Sequence, residues 1–130
     1  MSIRTLYDLA SYVQPLAEQF LATCDESGVP CTVVATLRTL EEEQKLMDGR
    51  RSWVTQPQDS KHTAQPPEGK AEAFDVCPNE LLQSFDWSPN SPLWEQIGAI
   101  GKELGLFWGG DWKHINNGLG DRPHFEYIHP

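Results

Sequence analysis

The sequence has no long apolar run, few cysteines and a shortage of basic side chains. No apolar stretch approaches the roughly 18 residues of a membrane-spanning helix, so we expect no membrane association. The cysteines number 3 and lack paired CxxC spacing, which argues against a disulfide framework or a cysteine-rich zinc site. Lys and Arg number 10 against 19 Asp and Glu, and the net charge of -9 disfavours nucleic-acid binding. These absences describe an acidic protein with reduced thiols.

The chain start, MSIRTLYDLASYV, has no basic segment followed by an apolar one, so we predict no signal peptide. Synthesis in the cytoplasm is the resulting expectation, and action on an extracellular substrate would require another exit route. A chain of 130 residues can bury one hydrophobic core, and no repeat or linker is visible. We therefore predict a single domain over residues 1–130, acting as a monomer.

Hydrophobic spacing and turn residues predict an α+β fold. The predicted helices cover 5–22 with a break near Pro15, 39–49 with a capping box, and 91–105 with a serine cap and proline. Short β-branched or alternating segments predict strands at 31–37, 71–76 and 124–128, with a further segment at 106–108 and a loop at 50–61. The expected architecture is a small antiparallel sheet that carries the polar residues, flanked by N-terminal and middle helices.

Several polar residues near the predicted strands are not needed by a core. His62, Asp75 and His124 offer imidazole and carboxylate ligands, and three protein ligands plus water is the usual catalytic arrangement of Zn²⁺. Asp121 lies three residues before His124, so one turn can bring its carboxylate to the metal as a general base. Arg38 could stabilise a developing oxyanion. These residue types are consistent with metal-assisted hydrolysis.

Each residue also has a structural interpretation. A lone histidine beside a strand is more often a hydrogen-bonded structural residue than a ligand. Asp75 fits a strand-end turn, Asp121 fits a loop acid, and Arg38 fits a surface ion pair with Glu41 or Glu42. Spacing by itself leaves both interpretations open. No pattern supports a role for the two remaining histidines, His114 and His129, which we interpret as structural.

Three motifs follow one another along the chain: Ser60-Lys61-His62, Ala73-Phe74-Asp75 and Asp121-Arg122-Pro123-His124. In this order they resemble the zinc D-alanyl-D-alanine carboxypeptidase and L-alanyl-D-glutamate endopeptidase family, which includes vancomycin-resistance D,D-peptidases and phage endolysins. The segment GLFWGGDW, residues 105–112, is most similar to the endolysin branch. The resemblance extends from about Thr32 to Tyr127.

The resemblance implies a Zn²⁺ peptidase that cuts bonds next to D-residues in peptidoglycan stem peptides. It leaves open whether the enzyme is an endopeptidase or a carboxypeptidase. The alternative is a zinc-stabilised, non-catalytic wall-binding module. Release to the cell wall during lysis would give an endolysin access to its substrate. The implied site comprises metal ligands His62, Asp75 and His124, catalytic residues Asp121 and Arg38, and substrate-binding residues Ser60 and Trp112.

Two features depart from the common family pattern. The interval from His62 to Asp75 is longer, and we predict that residues 65–69 form a turn that protrudes between the ligands without needing to move either one. The sequence leaves the effect of this turn on the substrate groove open. The base is Asp121, whereas many members have Glu. An aspartate is one methylene shorter, so its backbone must approach the metal more closely.

Overall fold

Four antiparallel strands form one sheet in the order β1-β2-β4-β3. The computed structural model describes residues 5–49, 54, 56–84 and 90–130. The strands are β1 Cys31–Ala35, β2 Ala73–Pro78, β3 Phe107–Trp108 and β4 His124–Glu126. The predicted α+β class and antiparallel sheet are confirmed.

Along the described part of the chain, one α-helix precedes the first strand and three lie between strands. They are α1 Gln14–Glu26, α2 Leu40–Asp48, α3 Asn79–Gln83 and α4 Pro92–Glu103. The predicted capping box is present in α2, because Thr39 Oγ1 accepts the Glu42 N–H and Glu42 Oε1 accepts the Thr39 N–H, both at 3.0 Å. The Ser91 hydroxyl accepts the Leu93 N–H at the start of α4.

The prediction for the N-terminal helix is wrong in its first half. Leu6–Asp8 form a 3₁₀ turn, and α1 begins only at Gln14, with Pro15 in its first turn. Proline is tolerated there because its missing N–H would be unpaired in any case. The five-residue α3 was not predicted because it is too short to show a helical period. In the predicted loop 50–61, residues 50–53 and 55 lie outside the described residues.

A cluster of aromatic side chains packs the first helix, α1, against the sheet. The Phe20 ring of α1 lies 5.8 Å from Phe74 and 4.6 Å from Phe125, measured between ring centroids. Successive strand residues point to opposite faces. Burial of Phe74 and Phe125 against α1 therefore directs their neighbours Asp75 and His124 to the other face of the sheet. No helix among the described residues has the length and apolar character needed to cross a bilayer.

Candidate metal centre and active site

The turn that carries His62 is held against the end of β1. The Ser60 hydroxyl accepts the His62 backbone N–H at 3.3 Å, and the His62 carbonyl accepts the Arg38 backbone N–H at 2.7 Å. The His62 ring is buried, and its Nδ1 lies 2.7 Å from the Thr36 carbonyl oxygen. Hydrogen bonds to the His62 backbone and to the outer ring nitrogen Nδ1 thus fix the position of the imidazole.

Asp75 and His124 face each other across two neighbouring strands. Asp75 on β2 is the register partner of His124 on β4. His62 Nε2 lies 3.1 Å from Asp75 Oδ1 and 3.2 Å from His124 Nδ1, and the last pair, His124 Nδ1 and Asp75 Oδ1, is separated by 3.4 Å. The three residues predicted as ligands therefore converge on one point. The structural interpretation of Asp75 as a strand-end turn residue is wrong, because it lies inside β2.

The outer hydrogen bonds determine which ring nitrogens carry protons. The Thr36 carbonyl can only accept, so His62 Nδ1 donates to it and leaves a lone pair on Nε2. The Glu126 carboxylate, whose Oε1 is 2.7 Å from His124 Nε2, likewise makes that nitrogen a donor and leaves the His124 Nδ1 lone pair facing inward. Two imidazole lone pairs and one carboxylate oxygen consequently meet at a single point.

This arrangement fits Zn²⁺. The ligands of a tetrahedral zinc ion with bonds of about 2.0–2.1 Å lie about 3.3–3.4 Å apart, close to the three separations observed. Three acceptor atoms that repel one another are stabilised by a cation between them. Among the described residues, His62, Asp75 and His124 are the group of imidazole and carboxylate side chains that could hold a metal ion.

A proton takes the place of the cation when no metal is bound. Burial alone would lower the pKa of His124, but hydrogen bonds to Asp75 and Glu126 raise it to about 10. Burial would raise the pKa of Asp75, yet the charges and hydrogen bonds of His62 and His124 hold it well below its usual range. The site therefore favours a positive charge next to Asp75, and a metal ion must displace the His124 proton.

Asp121 is joined to His124 by a tight turn. The Asp121 carbonyl accepts the His124 N–H at 3.2 Å, and the Asp121 N–H donates to the Gly109 carbonyl at 2.9 Å. This is the geometry that the three-residue spacing predicts. Burial raises the pKa of the Asp121 carboxyl, and repulsion from the Asp75 carboxylate raises it further. A carboxyl with a raised pKa next to a metal site is typical of a general acid or base.

Two glycines allow the backbone to pack closely around Asp121. A Cβ on Gly109 would lie 2.3 Å from the Asp121 carbonyl oxygen, and a Cβ on Gly120 would lie 2.2 Å from the Gly109 oxygen. Gly120 also has a φ of +70°, a conformation that favours glycine. The short Asp side chain requires a close backbone, and these glycines make that approach possible.

Arg38 is held between two carboxylates. Its Nη1 donates to Glu43 Oε1 and its Nη2 donates to Asp75 Oδ2, both at 3.2 Å. The Glu43 side chain is 0% exposed. The alternative ion pair with Glu41 or Glu42 is wrong, because the guanidinium points to the site.

A cavity of about 390 Å³ opens over the converging ligands. Trp112 lies on its wall, where its ring is 4.9 Å from the His124 ring between centroids. His114, which we interpret as structural, is exposed and also lines the cavity. That interpretation is confirmed for His129, whose Nε2 lies 2.7 Å from the buried Glu72 Oε1. All seven predicted site residues line the cavity: Arg38, Ser60, His62, Asp75, Trp112, Asp121 and His124.

The turn at 65–69 forms as predicted, but it packs away from this cavity. The Gly69 N–H donates to the Gln65 carbonyl at 2.8 Å, which closes the turn. Glu68 then accepts the Ser11 backbone N–H at 2.8 Å and the Ser11 hydroxyl at 2.5 Å. Among the described residues, the cavity lining includes no residue of 65–69.

Sequence reasoning missed the groups that orient the ligands. Glu126 stands two residues after His124 on the same strand face, so alternation along a strand could have identified it. Glu43 carried no such signal, because a glutamate in a highly charged helix usually faces solvent. The Thr36 carbonyl is a backbone atom, which no side-chain pattern can indicate.

Comparison with protein families identifies one family, and comparison with solved structures identifies the fold. A model described as D-alanyl-D-alanine carboxypeptidase matches residues 55–127, more than half of the chain. No curated protein matched the sequence. In solved structures, the Serratia marcescens L-Ala D-Glu endopeptidase ChiX has 20% identity and a TM-score of 0.68, with 98% of this chain and 89% of that chain covered.

Two further structures share the fold at lower identity. A variant of the vancomycin-resistance D,D-pentapeptidase VanY, in complex with Zn(II), has 16% identity and a TM-score of 0.65, covering 93% of this chain and 73% of that chain. The LD-carboxypeptidase LdcB has 12% identity and a TM-score of 0.63, covering 92% of this chain and 59% of that chain.

Proposed function

The chain belongs to the D-alanyl-D-alanine carboxypeptidase family of zinc peptidases that act on peptidoglycan, and from this premise we propose that it hydrolyses the peptide bond next to a D-residue in stem peptides. The observation that carries the proposal is the convergence of three lone-pair atoms on the floor of a cavity that also holds the Asp121 carboxylate. A structural zinc site would require neither an open cavity nor a further acid.

His62 Nε2, Asp75 Oδ1 and His124 Nδ1 would hold the metal. When bound, Zn²⁺ supplies Lewis-acid chemistry that lowers the pKa of a water ligand and polarises a carbonyl. The protein contributes a rigid donor set, because each inward atom belongs to a side chain whose outer atom is already hydrogen-bonded.

Asp121 is the proposed general base. Its carboxylate takes the proton of the attacking water and passes it to the amine that leaves. In the metal-free site, burial and the Asp75 charge raise the pKa of the Asp121 carboxyl. The turn to His124 keeps this carboxylate on the same side of the cavity as the ligands.

The remaining cavity residues are assigned to the substrate. The Arg38 guanidinium lies on the cavity wall and stabilises the negative charge that develops on the scissile carbonyl oxygen. Trp112 offers an aromatic face beside His124, against which an apolar part of the peptide can pack. Ser60 places a hydroxyl at the cavity edge, where it also accepts the His62 N–H.

Among the bonds of a stem peptide, we propose cleavage between L-alanine and D-glutamate. Support comes from the endolysin-like GLFWGGDW segment and from the fold shared with an L-Ala D-Glu endopeptidase along 98% of this chain. Removal of a terminal D-alanine is the second candidate, because the matching family model bears the description D-alanyl-D-alanine carboxypeptidase.

Digestion of purified peptidoglycan, with products identified by mass, tests both candidates. Wild type should release fragments cut after L-alanine, whereas a chelated sample and Asp121→Ala should release none. Loss of a single D-alanine would instead establish the carboxypeptidase. Zinc binding with no product from any sample would favour a non-catalytic wall-binding module, and full activity after zinc removal would refute the proposal.

We also propose that the protein reaches the wall from the cytoplasm during lysis, because peptidoglycan lies outside the cytoplasmic membrane. Recycling of wall peptides inside the cell is the alternative. Expression in a bacterial host with and without a membrane-permeabilising protein separates the two. Lysis only with the permeabilising protein is expected, and lysis in neither culture would contradict the endolysin role.

A further inference from the structure

We infer that Glu126 is a positioning residue that holds His124 in the Nε2–H tautomer and thereby sets the zinc affinity of the site. The inference rests on the proposed function, which takes His62, Asp75 and His124 as the ligands. The resemblance assigns no role to Glu126.

Glu126 Oε1 is 2.7 Å from His124 Nε2, so the carboxylate accepts the outer N–H and presents Nδ1 to the metal position. An imidazole without this partner can place its proton on either nitrogen. In the tautomer protonated at Nδ1, that proton would point at the metal position and block it. The hydrogen bond therefore selects the one neutral form that can bind.

The Glu126 carboxylate also changes the charge near the metal position. Asp75 is the one anion among the three ligands, and its Oδ2 is bonded to the Arg38 guanidinium, which draws negative charge away from the metal position. Glu126 adds a carboxylate one imidazole ring away from that position. A carboxylate on the outer nitrogen makes the inner nitrogen a stronger donor. The negative charge of Glu126 thus compensates for the negative charge of Asp75 that Arg38 neutralises.

The fold does not depend on the Glu126 carboxylate. Glu126 is held in β4 by register pairing with Ala73 on one side and Phe107 on the other. Its side chain is 19% exposed, so water can reach the space left by a smaller residue. By contrast, the His62 ring is oriented by the Thr36 backbone carbonyl, which substitution cannot remove. Glu126 is therefore the orienting group that mutation can test.

Zinc affinity, measured by competition with a chromogenic chelator, is the first test. We expect Glu126→Ala to weaken binding by about 10- to 100-fold. Glu126→Gln should lose less zinc affinity than Glu126→Ala, because its amide oxygen still accepts the His124 N–H although the negative charge is gone. The matched control is His129→Ala, which removes a histidine–glutamate hydrogen bond of the same 2.7 Å length outside the cavity and should bind zinc normally.

Long-range ¹H–¹⁵N spectra of the zinc-loaded protein supply a second readout that does not depend on a variant. Zinc-loaded wild type should show His124 coordinated through Nδ1 with its proton on Nε2, and metal-free Glu126→Ala, at a pH where His124 is neutral, should show a mixture of tautomers. Coordination of wild-type His124 through Nε2 would overturn the inference. So would a Glu126→Ala protein with wild-type affinity.

Failure of the inference and failure of the proposed function have different signatures. If His62→Ala and His124→Ala abolish zinc binding while Glu126→Ala retains it, only the role of Glu126 is refuted. If His62→Ala and His124→Ala bind zinc as tightly as wild type, the ligand set itself is wrong and both proposals fall.

Discussion

Replacement of Asp121 by asparagine should change activity and stability in opposite directions. The substitution keeps the size of the side chain and removes its ability to take a proton. General-base catalysis contributes about 10²- to 10⁴-fold to rate, so kcat should fall by that factor, equivalent to about 2.7–5.4 kcal/mol of activation free energy. The zinc ligands are untouched, so metal binding should persist.

The stability change follows from the raised pKa of Asp121. A carboxyl whose pKa is higher in the folded state stabilises that state below its unfolded pKa, and this contribution is lost as pH rises through the folded pKa. Above the folded pKa, the ionised group is partly buried near the Asp75 carboxylate, which costs stability. Asp121→Asn removes that cost, so the metal-free variant should unfold at an equal or higher urea concentration than wild type.

The assay combines turnover of a synthetic stem peptide with urea unfolding at pH 7 in the presence of chelator. The control is Asp25→Asn, the same chemical change on an exposed position of α1 far along the chain from the site motifs. Asp25→Asn should keep full activity. Asp121→Asn with more than a tenth of wild-type kcat would refute the general-base role, and a large loss of stability would refute the electrostatic reasoning.

Three further predictions concern the surroundings of the metal. Glu43→Gln weakens a charged hydrogen bond to Arg38 and should lower the free energy of unfolding by about 1.5–3 kcal/mol, and an unchanged urea midpoint would contradict the buried pair. Because zinc must displace a proton from His124, whose pKa is raised to about 10, affinity should rise about tenfold per pH unit between pH 7 and 9. Calorimetry in buffers of different ionisation enthalpy should show proton release, and pH-independent binding would exclude it. Gly120→Ala forces a side chain at φ +70° to within 2.2 Å of the Gly109 oxygen, so we expect a loss of about 1–3 kcal/mol and reduced kcat, measured by unfolding and turnover. Wild-type values for both would show that the loop relaxes freely.

The predictable part of the fold consists of elements with strong local signals. The capping box of α2 and the serine–proline start of α4 are encoded within a few adjacent residues, and both form as predicted. The N-terminal segment was harder to predict from the sequence, because apolar residues at helical spacing also occur in a 3₁₀ turn packed against the core. Pro15 lies at the start of a helix here and not at a break within a longer one. Which of the two occurs depends on where the preceding chain packs.

By itself, the sequence determined the residue types that can bind and use a metal. Imidazole and carboxylate chemistry, the three-residue step from Asp121 to His124, and the alternation that turns Asp75 away from Phe74 are local properties of the chain. Tertiary structure decided which partners those residues have. The register of β2 against β4 brings Asp75 and His124 together, and the Thr36 carbonyl at the end of β1 meets the His62 ring nitrogen Nδ1. Such contacts join residues far apart in the chain, so no spacing rule anticipates them, yet they determine the protonation of the ligands that make the metal centre.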